Sequence, residues 1–135
     1  MKAIENTANL IGRFLMASLF LPAGVTKLMG FDGTIAYFGS LGLPMPFIVA
    51  IAVIFIEILG GLALIVGYKV KLSAIILALF TLGASLIGHA YWAVPADQAF
   101  VAKLLFYKNI AIVGGLLILA SVGAGRLSMD QVQEK

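Results

Sequence analysis

The chain has 135 residues, of which 62% are hydrophobic and 11% are charged, and its formal net charge is +3. Soluble domains contain about 45–50% apolar and about 25% charged residues. The composition therefore excludes a water-soluble globular domain, a disordered chain and a nucleic-acid-binding domain, and it predicts a polytopic membrane protein.

Four apolar stretches are each long enough to cross a hydrocarbon core of about 30 Å as an α-helix. They lie at approximately 10–29, 47–67, 72–92 and 104–122. The alternating pattern of barrel strands is absent. The sequence thus predicts an all-α, four-transmembrane-helix bundle that forms a single membrane domain over residues 1–135. The first stretch is predicted to be a retained span, because no A-x-A-like signal-peptide cleavage site follows it.

The connections between the predicted spans differ in kind. Between spans one and two, Tyr37, Phe38 and Leu41 precede a Pro-rich segment, which predicts a short helix in the membrane interface. Tyr68–Lys71 is short enough for a tight hairpin between antiparallel helices.

Spans two and four share a Gly-Gly motif at a spacing of 54 residues, in Ile58–Leu62 and Ile112–Leu116. Two interpretations stay open. The motif either marks two helical-hairpin repeats, as in some transporters, or reflects close packing of membrane helices at small residues.

Basic residues predict the orientation in the membrane. Six of the nine lie on the side that holds both termini: Lys2, Arg13, Lys69, Lys71, Arg126 and Lys135. The other side holds Lys27, Lys103 and Lys108. The positive-inside rule therefore predicts that both termini are cytoplasmic.

Glu57 is the most informative polar residue, because it lies about 16 Å deep in span two, near the midplane. It is either a packing carboxylate that is protonated or paired with a buried cation, or a group that binds protons or orients a ligand. Lys27 and Arg13 are interpreted as side chains that snorkel to the interface. Either of them, or Lys108, could also approach Glu57 as a counter-ion.

Three further polar residues lie in the same half of the predicted bundle as Lys27. His89 lies about 5 Å and Asn109 about 8 Å below the interface, and Lys108 is predicted to turn inward. Together with Glu57 and Lys27 they predict a pocket for an anionic or carbonyl-bearing ligand such as a quinone. The alternative is that these side chains reach the interface separately. No metal site is predicted.

An ordered set of motifs resembles the DoxX family of small bacterial inner-membrane proteins, and the resemblance covers nearly the whole chain. The motifs are Arg13, Ala23-Gly24-x-x-Lys27, Leu43-Pro44-x-Pro46, Glu57 with Gly60-Gly61, His89, Lys108-Asn109 with Gly114-Gly115, and Gly123-x-Gly125-x-x-Ser128-x-Asp130. The resemblance implies a four-helix inner-membrane protein. It also implies a role beside quinone-linked oxidoreductases, because some relatives are described as membrane subunits of such systems.

The sequence leaves three functions open. The first is an accessory membrane subunit of a quinone-linked redox system, with a redox partner protein or a second copy of the chain as partner and no intrinsic cofactor. The second is a small proton-coupled transporter that uses Glu57. The third is a scaffold in which buried charges only determine how the helices pair. The sequence contains no cysteine and no independent catalytic motif, so it leaves open whether the chain is an enzyme.

Overall fold

The computed structural model describes residues 2–133. Its helices are α1 (Lys2–Met29), α2 (Phe31–Ser40), α3 (Pro46–Val66), α4 (Val70–Gly88), α5 (Ala96–Val122) and α6 (Met129–Gln133). A 3-10 turn at Tyr91–Ala93 lies between α4 and α5. Four helical segments, formed by α1, α3, α4 with the turn that follows it, and α5, are long and apolar enough to cross a membrane. The predicted all-α, four-span fold is confirmed, and the described residues contain no strand.

The helices extend beyond the predicted spans. Helix α1 begins eight residues before the predicted span one, and α5 begins eight residues before the predicted span four. Two prolines lie at helix starts, where the backbone tolerates them: Pro46 is in the first turn of α3, and Pro95 directly precedes α5. Pro22 lies inside α1, where it cannot donate a helical hydrogen bond. The connection predicted as a short interfacial helix is α2, which packs mainly against α3.

The bundle has two distinct ends. The termini end contains the α3–α4 turn (67–69) and the C-terminal segment 123–133. The aromatic end contains a ring cluster formed by Tyr91, Trp92, Phe106 and Tyr107, with centroids 5.1–6.1 Å apart. The buried apolar core lies in the half nearer the termini end: Ala17, Phe20, Leu64, Val70, Ala74, Leu77, Ala78, Leu116 and Ala124.

Glycines permit the close helix packing. Helix α1 packs on α3 and α4 packs on α5, and α3 contacts α4 to join the two pairs. A Cβ atom at Gly61 would lie 3.0 Å from Leu21 Cβ, and one at Gly115 would lie 2.7 Å from Met16 Cε. The second glycine of each Gly-Gly pair therefore packs against α1, as expected where small residues allow close approach. The hairpin repeat stays a prediction.

Candidate functional site

The polar site in the middle of the bundle is built from α1 and α3. Helix α3 carries Glu57 into the interior, where only 3% of the residue is exposed. Lys27, in the last turn of α1, places its Nζ atom 2.8 Å from Glu57 Oε1. The prediction that Glu57 faces the interior is confirmed. The interpretation of Lys27 as a side chain that only snorkels is wrong, because Lys27 pairs with Glu57.

Helix geometry explains why these two side chains meet. In an α-helix every Cα–Cβ bond tilts toward the helix N-terminus. Since α1 and α3 are antiparallel, Lys27 leans toward the termini end and Glu57 leans toward the aromatic end, so the two side chains converge. Gly24, almost one turn before Lys27, lets the backbones approach, because a Cβ there would lie only 3.0 Å from Glu57 Cβ.

The ion pair has unused hydrogen-bonding capacity. The Lys27 side chain is 31% exposed and that of Glu57 is 4% exposed. The ammonium lies 2.8 Å from Oε1, and among residues 2–133 Lys27 is the described partner of this buried oxygen. An ammonium can donate three hydrogen bonds. A ligand that reaches Lys27 could therefore accept a hydrogen bond without displacing Glu57.

Two further polar side chains, which the sequence analysis did not single out, are buried in the same region. Thr81 and Ser85 of α4 are 4% and 0% exposed. Their hydroxyls donate to the carbonyls of Leu77 and Thr81, each at 2.7 Å. Counted from the α3–α4 turn at 1.5 Å per residue, Thr81 and Glu57 both lie at a depth of about 15 Å. The four-residue spacing of Thr81 and Ser85 could have indicated a shared polar position, since it places both hydroxyls on one helix face.

An apolar cavity of about 290 Å³ lies on α3 near the ion pair. It is lined by Leu28, Phe31, Ile51, Ile54, Phe55, Ile58 and Leu59. Leu28 directly follows Lys27, and Ile58 directly follows Glu57, but neither charged residue lines the cavity. Because successive side chains on a helix point in different directions, the cavity and the ion pair are neighbours and do not form one enclosed site.

The other predicted site residues do not join the ion pair through a described contact. His89 follows α4 directly and is half-buried, and its backbone N–H donates to Ser85 O at 3.1 Å. Lys108 is exposed on α5 instead of turned inward, and Asn109 is half-buried. The hydrogen bonds found within residues 2–133 include none from these three side chains. Their convergence on one pocket stays a prediction.

A second polar cluster lies at the termini end, around Arg13. This side chain is fully buried and its Nη1 donates to Leu64 O at 2.9 Å and to Ile65 O at 3.4 Å. Its Nη2 donates to Leu127 O, and its Nε donates to Asn9 Oδ1 at 2.9 Å. The interpretation that Arg13 snorkels to headgroups is wrong. The guanidinium instead satisfies carbonyls in the last turn of α3, where a positive charge also complements the helix dipole.

Asp130 performs the complementary role at the start of α4. Its two carboxylate oxygens accept hydrogen bonds from the backbone N–H groups of Lys69 at 2.5 Å and Val70 at 2.9 Å. The backbone N–H of Asp130 donates to Gly67 O at 2.9 Å. We call Arg13, Asp130 and the turn 67–69 the polar clasp, because the two charged side chains cap the two helix ends that meet at this turn.

Comparison with known proteins places the chain in a family. The DoxX family model matches residues 8–90, a range that contains Arg13, Lys27, Glu57 and His89. The inner membrane protein YphA of Escherichia coli (strain K12) is 37% identical over 122 residues, which cover 90% of this chain and 87% of YphA. The inner membrane protein YqjF of the same organism is 37% identical over 135 residues, which cover 100% of this chain and 98% of YqjF.

A more distant match reaches eukaryotes. A Surfeit locus protein 4 homolog of Drosophila melanogaster is 33% identical over 84 residues, which cover 58% of this chain and 31% of that protein. No solved structure matches the chain. The family match over residues 8–90 and the two full-length bacterial relatives establish that the chain is an integral inner membrane protein of the DoxX family.

Proposed function

We propose that the chain is an accessory membrane subunit of a quinone-linked redox system and that the Lys27–Glu57 pair contributes the polar part of its quinone site. The observation that carries this proposal is the partly exposed ammonium of Lys27, held 2.8 Å from a buried carboxylate. An ionisable pair inside a membrane protein is costly, so it is a functional candidate by default.

The residues present fit the head group of a quinone. A quinone has an apolar ring with carbonyl oxygens that accept hydrogen bonds. Lys27 supplies a charged donor, and the neighbouring cavity supplies apolar side chains that include Phe31 and Phe55. The role of Glu57 is to keep the ammonium at this depth, because a lone Lys27 would extend to the interface. The predicted ligand contacts of His89 and Asn109 would lie toward the aromatic end.

Quinone that co-purifies with the chain tests this proposal. The full chain is purified from membranes in mild detergent, and bound quinone is extracted and identified by mass spectrometry. The diagnostic variant replaces both charges, Lys27→Met with Glu57→Leu, because removing both members of a buried pair is often close to neutral for stability. We expect this folded variant to lose its quinone and the Lys103→Met control to keep it. Equal quinone content in the two variants, or none in the wild type, would refute the proposal.

A specific observation favours one alternative function. Glu57 is a buried carboxylate whose described partner is the partly exposed Lys27, so a proton could replace the ammonium when Lys27 moves toward the interface. This would suit a proton-coupled transporter. Proton uptake driven by a solute gradient in liposomes, abolished by Glu57→Gln and kept by the exposed-acid control Asp97→Asn, would select this function over the quinone site. A scaffold would show neither quinone binding nor transport.

We also propose that both termini are cytoplasmic, from the distribution of basic residues. Six of the nine basic residues are predicted to lie on the cytoplasmic side. One of them, Lys135, lies outside the residues that the structure describes. Single cysteines at Ser40 and Asp97 should react with a membrane-impermeant thiol reagent in intact cells, and one at Gln133 should not. Labelling at Gln133 alone would reverse the orientation.

A further inference from the structure

Two cavities of opposite character meet at the termini end of the α3–α4 pair. The first is an apolar groove of about 800 Å³ between the two helices. Its lining includes Phe55, Leu59, Leu62 and Ile76. The second is a polar hollow of about 630 Å³ across the start of α4. Lys69 and Leu72 line both, so the groove and the hollow adjoin at these two residues.

The dimensions of the groove match one leaflet of a membrane. Its lining on α3 extends from Phe55 to Val66, which is about 17 Å at 1.5 Å per residue. The hydrocarbon core of one leaflet is about 15 Å thick. The groove therefore extends from the level of membrane headgroups to a depth that an acyl chain reaches.

The charge of the hollow is positive. Lys69 and Lys71 are exposed and line it, together with the uncharged polar side chains of Gln131 and Gln133. Asp130 also lines the hollow and offsets one of the two positive charges, while its oxygens accept backbone hydrogen bonds. The charged side chains that line the hollow therefore leave it with a net positive charge.

We propose that the groove and the hollow together bind one anionic phospholipid, with its phosphate beside Lys69 and Lys71 and an acyl chain in the α3–α4 groove. Cationic pockets between membrane helices are known to bind anionic headgroups. A second copy of the chain is disfavoured as the occupant. A two-fold contact through this face would bring the same lysines of both copies together. The groove shares Phe55 and Leu59 with the cavity of the proposed quinone site. The lysines that would hold the phosphate lie at the opposite end of the groove and belong only to this inference.

Native mass spectrometry of the full chain in detergent tests the headgroup contacts. The delipidated protein is titrated with dioleoyl phosphatidylglycerol and, separately, with dioleoyl phosphatidylcholine. We expect one tightly retained phosphatidylglycerol per chain and weaker retention of phosphatidylcholine. Lys69→Gln and Lys71→Gln should each weaken phosphatidylglycerol retention about fivefold. The matched control is Lys103→Gln, an exposed lysine at the aromatic end, which should retain the lipid as the wild type does.

A second pair of variants tests the acyl-chain contact. Ser73 lines the groove, so Ser73→Trp should fill it and reduce retention of the lipid. Leu79, exposed on the same helix outside the groove lining, provides the control Leu79→Trp. The proposal is wrong if the wild type retains both lipids equally, if Lys103→Gln weakens retention as much as Lys69→Gln, if Ser73→Trp has no effect, or if a dimer forms in place of the lipid adduct.

Discussion

The polar clasp and the Lys27–Glu57 pair both place charge inside the bundle, but they satisfy it differently. In the clasp, Arg13 is fully buried and uses three of its nitrogens in hydrogen bonds, mostly to backbone carbonyls. Asp130 similarly uses both carboxylate oxygens on backbone donors. The Lys27–Glu57 pair instead has a single described contact, and the Lys27 side chain is 31% exposed.

This difference separates a structural charge from a charge that is available to a ligand. Burying a charge is tolerated when hydrogen bonds replace its hydration, as they do for Arg13. Arg13 uses four of its five N–H donors within the protein and is fully buried, so it has little left to offer a ligand. Lys27 retains donors and partial access. We therefore expect substitution of Arg13 to lower stability most, and substitution of both members of the pair to lower ligand binding with a smaller loss of stability.

The largest predicted effect is that of Arg13→Met. Removing the guanidinium leaves the carbonyls of Leu64 and Leu127 without their donor, at about 1–3 kcal/mol for each unsatisfied buried group. It also removes the bond to Asn9. The free energy of unfolding should fall by about 3–5 kcal/mol, measured by SDS titration in mixed micelles with circular dichroism.

Two controls sharpen this prediction. Arg126 is an exposed arginine whose backbone N–H, not its side chain, bonds to Asn6. Arg126→Met should therefore change the free energy of unfolding by less than about 0.5 kcal/mol. Arg13→Lys should recover only part of the loss, because an ammonium lacks the planar fork that reaches carbonyls on two segments. Equal stability of Arg13→Met and Arg126→Met would show that the clasp is not structural.

The second predicted effect concerns the ion pair. Lys27→Met leaves Glu57 buried without its cation, and the loss should lie between the values for exposed and fully buried pairs, at about 2–3 kcal/mol. The double variant Lys27→Met with Glu57→Leu should recover most of that stability. The same unfolding titration measures both. A double variant that is no more stable than Lys27→Met would contradict the pairing.

The sequence predicted the spans and the buried Glu57 because both depend on local composition. An apolar run of about 20 residues is stable as a helix that crosses the membrane. A carboxylate in the middle of such a helix must face the interior of the bundle, away from lipid. The role of Arg13 depends instead on carbonyls of Leu64 and Ile65, which are 51 and 52 residues away. Every residue has a carbonyl, so no pattern in the sequence marks those two as acceptors. Asp130 was noted only within the family motif. Its partners are backbone N–H groups of Lys69 and Val70, which no sequence pattern marks as its donors.

The predicted convergence of His89, Lys108 and Asn109 depends on more than their depth in the bundle. Helical rise predicts their depth, but inward or outward direction depends on how far each helix is rotated about its axis. Helix α5 has only one buried residue, Leu116, so its apolar pattern runs around the whole helix and does not define a face. The inward turn predicted for Lys108 failed for this reason.

The third predicted effect tests whether close packing of α1 on α3 at Gly24 positions the Lys27–Glu57 pair. Gly24→Ala adds a methyl group that would lie 2.7 Å from Ile58 Cγ1 and 3.0 Å from Glu57 Cβ. The helices must separate, at a cost of about 1–3 kcal/mol that the better helix propensity of alanine offsets in part. Gly114→Ala is the matched control, since nothing lies within 4 Å of its added Cβ, and it should stabilise slightly. Both substitutions are compared by thermal unfolding, and a Gly24→Ala variant as stable as Gly114→Ala would exclude close packing at this site.

The smallest predicted effect is that of Asp130, whose carboxylate caps α4 from 60 residues away along the chain. Asp130→Ala removes both capping bonds at the first turn and should lower the free energy of unfolding by about 1 kcal/mol, the usual value of a helix N-cap. Asp130→Asn should lose about half as much, because its amide oxygen still accepts one of the two bonds. Asp32, exposed in the first turn of α2, gives the control Asp32→Ala, which breaks no described hydrogen bond. Amide hydrogen exchange should rise at Lys69 and Val70 in Asp130→Ala alone. Unchanged exchange at these two amides would mean that Asp130 does not cap the helix, whatever the change in global stability.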